Sequence, residues 1–336
     1  MNEKDLAIIE QYDLQVQSFR RGRGSFLLET DRGLKLLTEF SGTDRRLRFQ
    51  NSICEKISSQ SPVQVDRVLE NKEGNLISKD REERGYIVKD WFEGRECSTR
   101  SEEEILLAVR LLAGIHRVMR LPEEAPVPPG KVLSDRERFG GISLDQEFAK
   151  KLREMKKVRT YMRGRHPKTA FEQKFLDAFD PFYDQALEAA GLLETTGFAE
   201  LRARNLEEGC VCHGDYNQHH VFLAPGSAAV MDFSRARYDI QVVDLYQFLR
   251  KMLEKQDWDP GLGMRILEEY GKVCSLSDQE VKNIWLRLKF PEKFWKLSNH
   301  YYNSKKSRMP EKGMEKLSAL IDQEEKRRKF INLLES

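Results

Sequence analysis

The most informative part of the chain reads Cys210-Val-Cys-His-Gly-Asp-Tyr-Asn-Gln-His-His-Val-Phe-Leu-Ala-Pro-Gly-Ser-Ala-Ala-Val-Met-Asp-Phe-Ser-Arg-Ala236. A polar loop, residues 213–220, lies between short apolar runs that are typical of strands. Asp215 lies in this loop, and Asp232 directly follows the last apolar run. Two carboxylates placed in this way can divide the work of phosphoryl transfer, because one can orient and deprotonate a hydroxyl while the other binds Mg²⁺.

The patterns on either side of this stretch differ. Residues 14–40 predict an antiparallel meander of short strands, residues 44–58 a helix, and residues 63–69, 76–78 and 86–90 further strands. From Ser101, where Ser101-x-x-Glu104 predicts a capping box, long helical patterns follow. We therefore expect an α+β chain of two lobes: a β-rich lobe at 1–93, a hinge at 94–100 and a helical lobe at 101–336, with a variable helical insert at 119–208.

Composition excludes several classes of protein. The 336 residues carry 57 Lys+Arg and 55 Asp+Glu, a net charge of +2, so bulk charge gives no argument for a nucleic-acid binder. A hydrophobic content of 39% excludes disorder as the main state. The charged N-terminus and the lack of a long apolar run predict synthesis in the cytosol without membrane insertion. Five cysteines are expected as reduced thiols.

His213-Gly-Asp215 and Asp232-Phe-Ser, with a small sheet lobe and a helical lobe, resemble the aminoglycoside phosphotransferase and choline kinase group of protein-kinase-like folds. More narrowly, the chain is similar to the spore-coat CotS family. The stretches that carry this resemblance are Asp90–Arg95, His213–His219, Asp232–Leu245, Phe290–Trp295 and His300–Ser304.

The resemblance implies a bilobal protein-kinase-like fold that uses ATP and Mg²⁺. It places the catalytic base at Asp215 and a metal ligand at Asp232, in the segment 232–234. His213 would pack the catalytic loop, residues 213–220, and Asp244 would hold the loop backbone from a following helix. A satisfied polar residue without a catalytic part is an equally good interpretation of His213 and Asp244.

Two positions depart from the family pattern. The family has an Asn ligand for a second metal ion where this chain has His220, and imidazole prefers Mn²⁺ or Zn²⁺ to Mg²⁺. Either the metal preference has changed or this ligand is lost. The family also has a phosphate-binding Lys on the third strand, where this chain has Thr38. Lys35 would face the opposite side of the strand, which favours a solvated side chain. Glu55, on the helix of this lobe, is where the partner of a strand lysine would lie, but this chain lacks that lysine.

The turn Arg20-Arg-Gly-Arg-Gly-Ser25 offers backbone amides and arginines to a phosphate, with Arg23 and Gly24 at its centre. A plain hairpin turn is at least as good an interpretation of this stretch.

Two functions remain open. The chain is either an ATP-dependent phosphotransferase to an unknown hydroxyl acceptor, or a catalytically weak or inactive pseudokinase that acts as a scaffold of the spore coat. The resemblance implies a place in sporulation, with synthesis in the mother-cell cytosol, assembly at the spore surface and other coat proteins as partners.

Overall fold

The computed structural model describes residues 7–22, 24–121, 134–303 and 310–335. It divides into two compact units: Met1–Glu123 with Cys210–Arg237, and Glu124–Gly209 with Tyr238–Ser336. This division does not test a hinge at 94–100, which stays a prediction. In the residues described, no helix is long and apolar enough to cross a membrane.

The described residues contain α-helices and strands in the order expected of an α+β chain. The helices are α1 Asp44–Gln60, α2 Glu102–Val118, α3 Asp135–Arg138, α4 Leu144–Gly164, α5 Ala170–Gly191, α6 Phe198–Glu207, α7 Val242–Lys255, α8 Pro260–Gly271, α9 Asp278–Lys289, α10 Glu292–Asn303, α11 Pro310–Asp322 and α12 Glu324–Leu333. The strands are β1 Val16–Arg21, β2 Ser25–Thr30, β3 Gly33–Glu39, β4 Gln64–Val65, β5 Ser78–Lys79, β6 Gly85–Asp90, β7 Arg95–Glu96, β8 Val211–Cys212, β9 Val221–Ala224, β10 Ser227–Val230 and β11 Arg237–Tyr238.

The first sheet has the order β1-β2-β3-β6-β5, and its strands are antiparallel. The predicted meander is thereby confirmed. One face buries Leu28, Leu37 and Val88 against the N-terminal residues Ile8 and Ile9. The other face packs on α1, because a sheet with apolar residues on both faces must bury both of them.

A second sheet, in the order β4-β10-β9-β7, joins segments that are far apart in sequence. Strand β10 pairs parallel with β4 and antiparallel with β9. Gly94 enters β7 with a φ of 125°, and a Cβ there would lie 2.7 Å from Leu223 O, so the close approach requires glycine. This sheet places the 213–220 loop and Asp232 at neighbouring strand ends.

The start of α2 differs from the predicted capping box. Ser101 accepts a hydrogen bond from the Glu104 backbone N–H as expected. The Glu104 carboxylate, however, binds the Arg95 guanidinium at 2.5 and 2.8 Å and the Ser98 N–H at 2.8 Å. Hydrogen bonds from Arg95 and Ser98 lower the pKa of Glu104 to about 2. An arginine therefore replaces the N-cap backbone N–H as the partner of this glutamate.

The Phe290–Trp295 stretch organises the second unit. Phe294 is fully buried and stacks on Phe175 and Phe182 at ring-centroid distances of 4.6 and 4.5 Å. Beside it, Glu292 lies 2.5 Å from the ammonium group of Lys151, a buried residue of α4. These contacts give the stretch a structural role in joining α4, α5 and α10.

Candidate functional site

His213 positions the start of the 213–220 loop, and its hydrogen bonds fix its tautomer. Its Nε2 lies 3.0 Å from the Met231 carbonyl oxygen, which only accepts, so Nε2 carries the hydrogen. The other ring nitrogen, Nδ1, accepts from the Asp215 backbone N–H at 3.3 Å. Through these two hydrogen bonds the fully buried ring links the loop to the segment that carries Asp232.

Gly214 is required by the path of the backbone. Its φ is 84°, and a Cβ at this position would lie 2.0 Å from Arg235 O. No side chain can be accommodated at that distance without movement of backbone, so glycine lets the loop pass directly over residues 235–237.

Tyr216 and Asn217 hold the middle of the loop. The buried Tyr216 hydroxyl donates to Ala108 O of α2 at 2.7 Å, which fixes the loop to that helix. The Asn217 amide nitrogen donates to Asp215 O at 2.8 Å and lies 3.3 Å from Asp215 Oδ1. Its Oδ1 accepts from the His219 N–H at 2.9 Å. Asp215 is therefore oriented by side chains on both sides of it.

His220 lies between the two acidic residues. Its Nδ1 is 2.8 Å from Asp215 O, and because a carbonyl oxygen only accepts, Nδ1 must be the donor. In the neutral ring the lone pair is then on Nε2, which lies 3.5 Å from Asp232 Oδ2. The structure thus brings Asp215, His220 and Asp232 together, as the sequence predicts for the residues of one site.

Asp232 follows β10 in the left-handed backbone region, with φ 65° and ψ 63°. Aspartate tolerates this region better than most residues because its short side chain can bond locally. Asp232 Oδ1 accepts from the Ser234 N–H at 3.3 Å. Its own backbone N–H is directed at Asp66, whose two carboxylate oxygens both lie 3.1 Å away.

The charge of Asp232 is favoured by its surroundings. Burial raises the pKa of this carboxyl group, but the hydrogen bonds from Ser234 and the nearby His220 and Lys89 outweigh burial and lower the pKa overall. Lys89 Nζ lies 2.6 Å from Asp66 Oδ2, and the Asp66 side chain is only 4% exposed. Burial lowers the pKa of Lys89, but the charge of Asp66 raises it overall. The surroundings therefore favour the charged forms of Asp232 and Lys89.

Arg46 fastens α1 to the segment after Asp232. Its guanidinium donates to Ser234 O at 2.7 Å and to Ala236 O at 2.5 Å. Burial, with the nearby charge of Arg237, lowers the pKa of Arg46. A movement of α1 must therefore disturb the residues that follow Asp232.

The structure corrects the expectation that Lys35 is solvated. It is buried rather than solvated, with its Nζ 3.2 Å from Asp90 Oδ1 and in contact with Arg32 O. The register pairs Lys35 with Asp90 and Thr38 with Ile87, so Lys35 and Thr38 lie on opposite faces, as predicted. The carboxylate of Asp90 holds Lys35 on the face away from Thr38.

The remaining predicted residues are dispersed. Glu55 is exposed and accepts from the Asn51 amide at 3.2 Å. Gly24 has a φ of 69° in the turn before β2. Arg23, the preceding residue and the other candidate in this turn, lies outside the described residues. Asp244 is fully buried on α7, in the other compact unit, and its support of the loop stays a prediction.

Asp66, Lys89 and Asn217 belong to this site but were missed in the sequence. Lys89 and Asp66 lie in strand-like stretches where a charged residue is usually solvated. The signal available for Lys89 was the pattern Val-Lys-Asp at 88–90, since a lysine within a strand next to a buried residue needs an anionic partner. Asn217 could have been found from its place two residues after Asp215, a spacing typical of local side-chain-to-backbone bonding.

The donor set suits a cation held jointly with a ligand rather than by protein alone. Among the described residues, no three His, Cys, Asp or Glu side chains form a metal-binding group. Asp232 Oδ2 and His220 Nε2 lie 3.5 Å apart, near the roughly 3 to 3.5 Å that separates two ligands of one ion. Mg²⁺ is commonly held by one or two carboxylates together with phosphates and water, so the residues present fit a metal–nucleotide complex.

Comparison with solved structures identifies the fold. An aminoglycoside phosphotransferase from Alicyclobacillus acidocaldarius has a TM-score of 0.82 at 19% identity, over 98% of this chain and 95% of that chain. Spectinomycin phosphotransferase APH(9)-Ia, solved with ADP and spectinomycin, has a TM-score of 0.59 at 8% identity, over 96% and 94% of the two chains. Amicoumacin kinase hAmiN, solved with AMP-PNP and Ca²⁺, has a TM-score of 0.58 at 12% identity, over 98% and 94%. The predicted kinase-like fold is confirmed.

Comparison of sequences identifies the family. Spore coat protein S of Bacillus subtilis strain 168 is 24% identical over 326 residues, which are 95% of this chain and 89% of that protein. The profile of the family described as "Spore coat putative kinase YutH" matches residues 5–334. Since the match covers nearly the whole sequence, the chain belongs to the YutH family of kinase-like spore coat proteins.

Proposed function

We propose that this protein is a metal-dependent phosphotransferase that moves the γ-phosphoryl group of ATP to a hydroxyl acceptor. The observation that carries the proposal is the position of His220. One ring nitrogen donates to Asp215 O at 2.8 Å, and the other lies 3.5 Å from Asp232 Oδ2. The ring therefore lies between the backbone of the proposed base and the carboxylate of the proposed metal ligand.

Asp215 is the group that would orient and deprotonate the acceptor hydroxyl. His213 and Asn217 hold its backbone, so its carboxylate is positioned before the acceptor arrives. Asp232 and His220 would hold the cation, which supplies positive charge to the phosphates when bound. Ser234 and Asp66 keep Asp232 in place by hydrogen bonds to its side chain and backbone. Stabilisation of charge by such preorganised groups is the main catalytic device of phosphoryl transfer.

The solved relatives support a nucleotide as ligand. One was solved with ADP and spectinomycin and another with AMP-PNP and Ca²⁺. The names of its relatives support the spore coat as the proposed place of action. Synthesis in the mother-cell cytosol is a further part of this proposal. Other coat proteins are then candidate partners.

A second candidate function, a pseudokinase scaffold of the coat, is favoured by the first sheet. The resemblance puts Thr38 at the position of the family lysine. The lysine of the same strand, Lys35, is held by Asp90 on the opposite face. Loss of one preorganised charge contact commonly costs about 3 kcal/mol of barrier, roughly a hundredfold in rate. A scaffold would tolerate that loss.

Measurement of ADP release from ATP tests the two functions. The wild-type protein with Mg²⁺ or Mn²⁺ is compared with the variants Asp215→Asn and Asp232→Asn. We expect slow metal-dependent turnover that falls by roughly a hundredfold or more in both variants. Wild-type turnover equal to that of both variants would reject the phosphotransferase and leave the scaffold.

A further inference from the structure

We propose that Lys89, on strand β6, binds the nucleotide phosphates in place of the lysine that Thr38 has replaced. The inference rests on the proposed nucleotide site and names a residue of that site. It would make Lys89 a relocated phosphate-binding lysine, supplied by the neighbouring strand of the same sheet.

The register of the sheet brings Lys89 to the correct face. Leu36 pairs with Lys89 and Thr38 pairs with Ile87, and directly opposed residues of antiparallel strands point to the same side. Lys89 and Thr38 are therefore diagonal neighbours on one face. Diagonal neighbours lie about 7–8 Å apart, within reach of a lysine side chain. An ammonium group from Lys89 can thus serve the region that a lysine at position 38 would serve.

Lys89 is also equipped as a phosphate-binding lysine. Asp66 Oδ2 lies 2.6 Å from the Lys89 ammonium group. A carboxylate in this position orients the lysine side chain before a phosphate binds. Asp66 also accepts the backbone N–H of Asp232. A single carboxylate therefore fixes the lysine relative to the proposed metal ligand. A lysine ammonium has three donors, so contact with Asp66 leaves capacity for a phosphate.

Lys35 cannot take this role without a change of register. It faces the opposite side of β3, is 7% exposed in its side chain and is paired with Asp90. The two lysines thus have the same kind of partner and differ in the face of the sheet. This difference makes Lys35→Met a matched control for Lys89→Met.

Calorimetric titration of the full chain tests the proposal, with Mn²⁺–ATP and with adenosine as probes. Charge-assisted contacts to phosphate predict that Lys89→Met weakens ATP binding by about tenfold to a hundredfold. Adenosine binding should change by less than about threefold, because adenosine has no phosphate for Lys89 to bind. Lys35→Met should leave both affinities unchanged. The substitution Thr38→Lys should strengthen ATP binding and should restore it in the Lys89→Met background.

Each other outcome overturns the inference in a different way. Equal loss of ATP and adenosine binding in Lys89→Met would make Lys89 a structural residue. Unchanged ATP binding would reject Lys89 while leaving the proposed function standing. Absence of ATP binding in the wild type would reject the function, and the role of Lys89 with it.

A second measurement needs no substitution, in case Lys89→Met does not fold. An acyl-phosphate derivative of ATP acylates lysine amines beside its phosphates: the amine attacks the acyl carbon, an amide forms and the nucleotide phosphate leaves. Peptide mass spectrometry of the wild-type protein should find Lys89 acylated, with suppression by excess ATP. Acylation of Lys35 without Lys89, or of neither, would overturn the proposal.

Discussion

Both carboxylate oxygens of Asp66 lie 3.1 Å from the backbone nitrogen of Asp232, and one of them also binds Lys89 at 2.6 Å. Asp66 follows β4, which pairs with β10 directly before Asp232. The parallel pair therefore brings an anion, a cation and the proposed metal ligand into one hydrogen-bonded group. The free energy of unfolding and the affinity for nucleotide should both depend on Asp66.

Asp66→Asn should destabilise the protein strongly. Removing one partner of a buried ion pair leaves the other charge without compensation and typically costs about 3–5 kcal/mol. Urea unfolding at neutral pH measures the loss. Asp44→Asn is the control, because Asp44 forms an exposed pair with Arg48 on α1 that is expected to contribute under about 0.5 kcal/mol. Equal effects of the two variants would contradict the structural role of Asp66.

Gly214→Ala should disrupt the 213–220 loop. The added Cβ would lie 2.0 Å from Arg235 O, and the φ of 84° disfavours any L side chain. Gly226→Ala has a similar φ of 74° but meets nothing within 4 Å, so it isolates the backbone strain, which is roughly 1 kcal/mol. We expect thermal unfolding to show a larger loss for Gly214→Ala. Similar melting temperatures for the two variants would reject the close approach at Gly214.

His220→Asn should move the metal preference toward Mg²⁺. An amide oxygen is a hard ligand, whereas the imidazole nitrogen favours softer ions, so the ratio of Mn²⁺ to Mg²⁺ affinity should fall by roughly tenfold. Binding of ATP with each metal gives the ratio. His219→Asn is the matched control, since His219 is directed at Glu96 at 2.5 Å instead of Asp232. An unchanged ratio in His220→Asn would remove His220 from the metal site.

Glu292→Gln should flatten the acid limb of the stability profile. Burial raises the pKa of Glu292, but Lys151, Lys296 and Arg250 outweigh burial and lower it from 4.5 to about 2. A depressed pKa contributes stability above 4.5 that is lost as the pH falls toward 2. The variant lacks this contribution, so its unfolding free energy should be lower at neutral pH and less steep in acid.

Urea unfolding across that pH range gives the comparison. Glu325→Gln, which removes an exposed i,i+4 pair with Lys329, serves as control and should follow the wild-type profile. An acid limb of Glu292→Gln as steep as that of the wild type would show that Glu292 is not the group responsible.

The sequence predicts the fold from local patterns, and the same patterns single out Asp215 and Asp232 as candidates. Alternation predicts β1 to β3, and the loop between apolar runs predicts Asp215 and Asp232. These features depend on residues close together in the chain, where spacing alone carries the information. Ser277 and Glu280, three residues apart, likewise form a capping box at the start of α9.

The partners of buried charges could not be predicted, because they are set by pairing between distant strands. Lys35 is buried since the β3–β6 register places Asp90 opposite it. Lys89 finds Asp66 because β6 and the segment after β4 meet near Asp232. The Glu104 carboxylate binds the Arg95 guanidinium instead of the N-cap backbone N–H that the capping box predicts. In the first two cases a long-range ion pair overrides the local pattern, and in the third an arginine nine residues earlier in the chain does so.

The central claim is a metal–nucleotide site centred on Asp232, and calorimetric titration with ATP and Mg²⁺ or Mn²⁺ tests it most directly. Ligand at about 100 times its dissociation constant should also stabilise the fold by roughly 2.7 kcal/mol, which gives an independent check. We predict metal-dependent binding that Asp232→Asn abolishes and Asp215→Asn retains, because Asp232, with His220, is the proposed holder of the metal and Asp215 is not. Equal binding by wild type and Asp232→Asn, or no binding with either metal, would contradict the account.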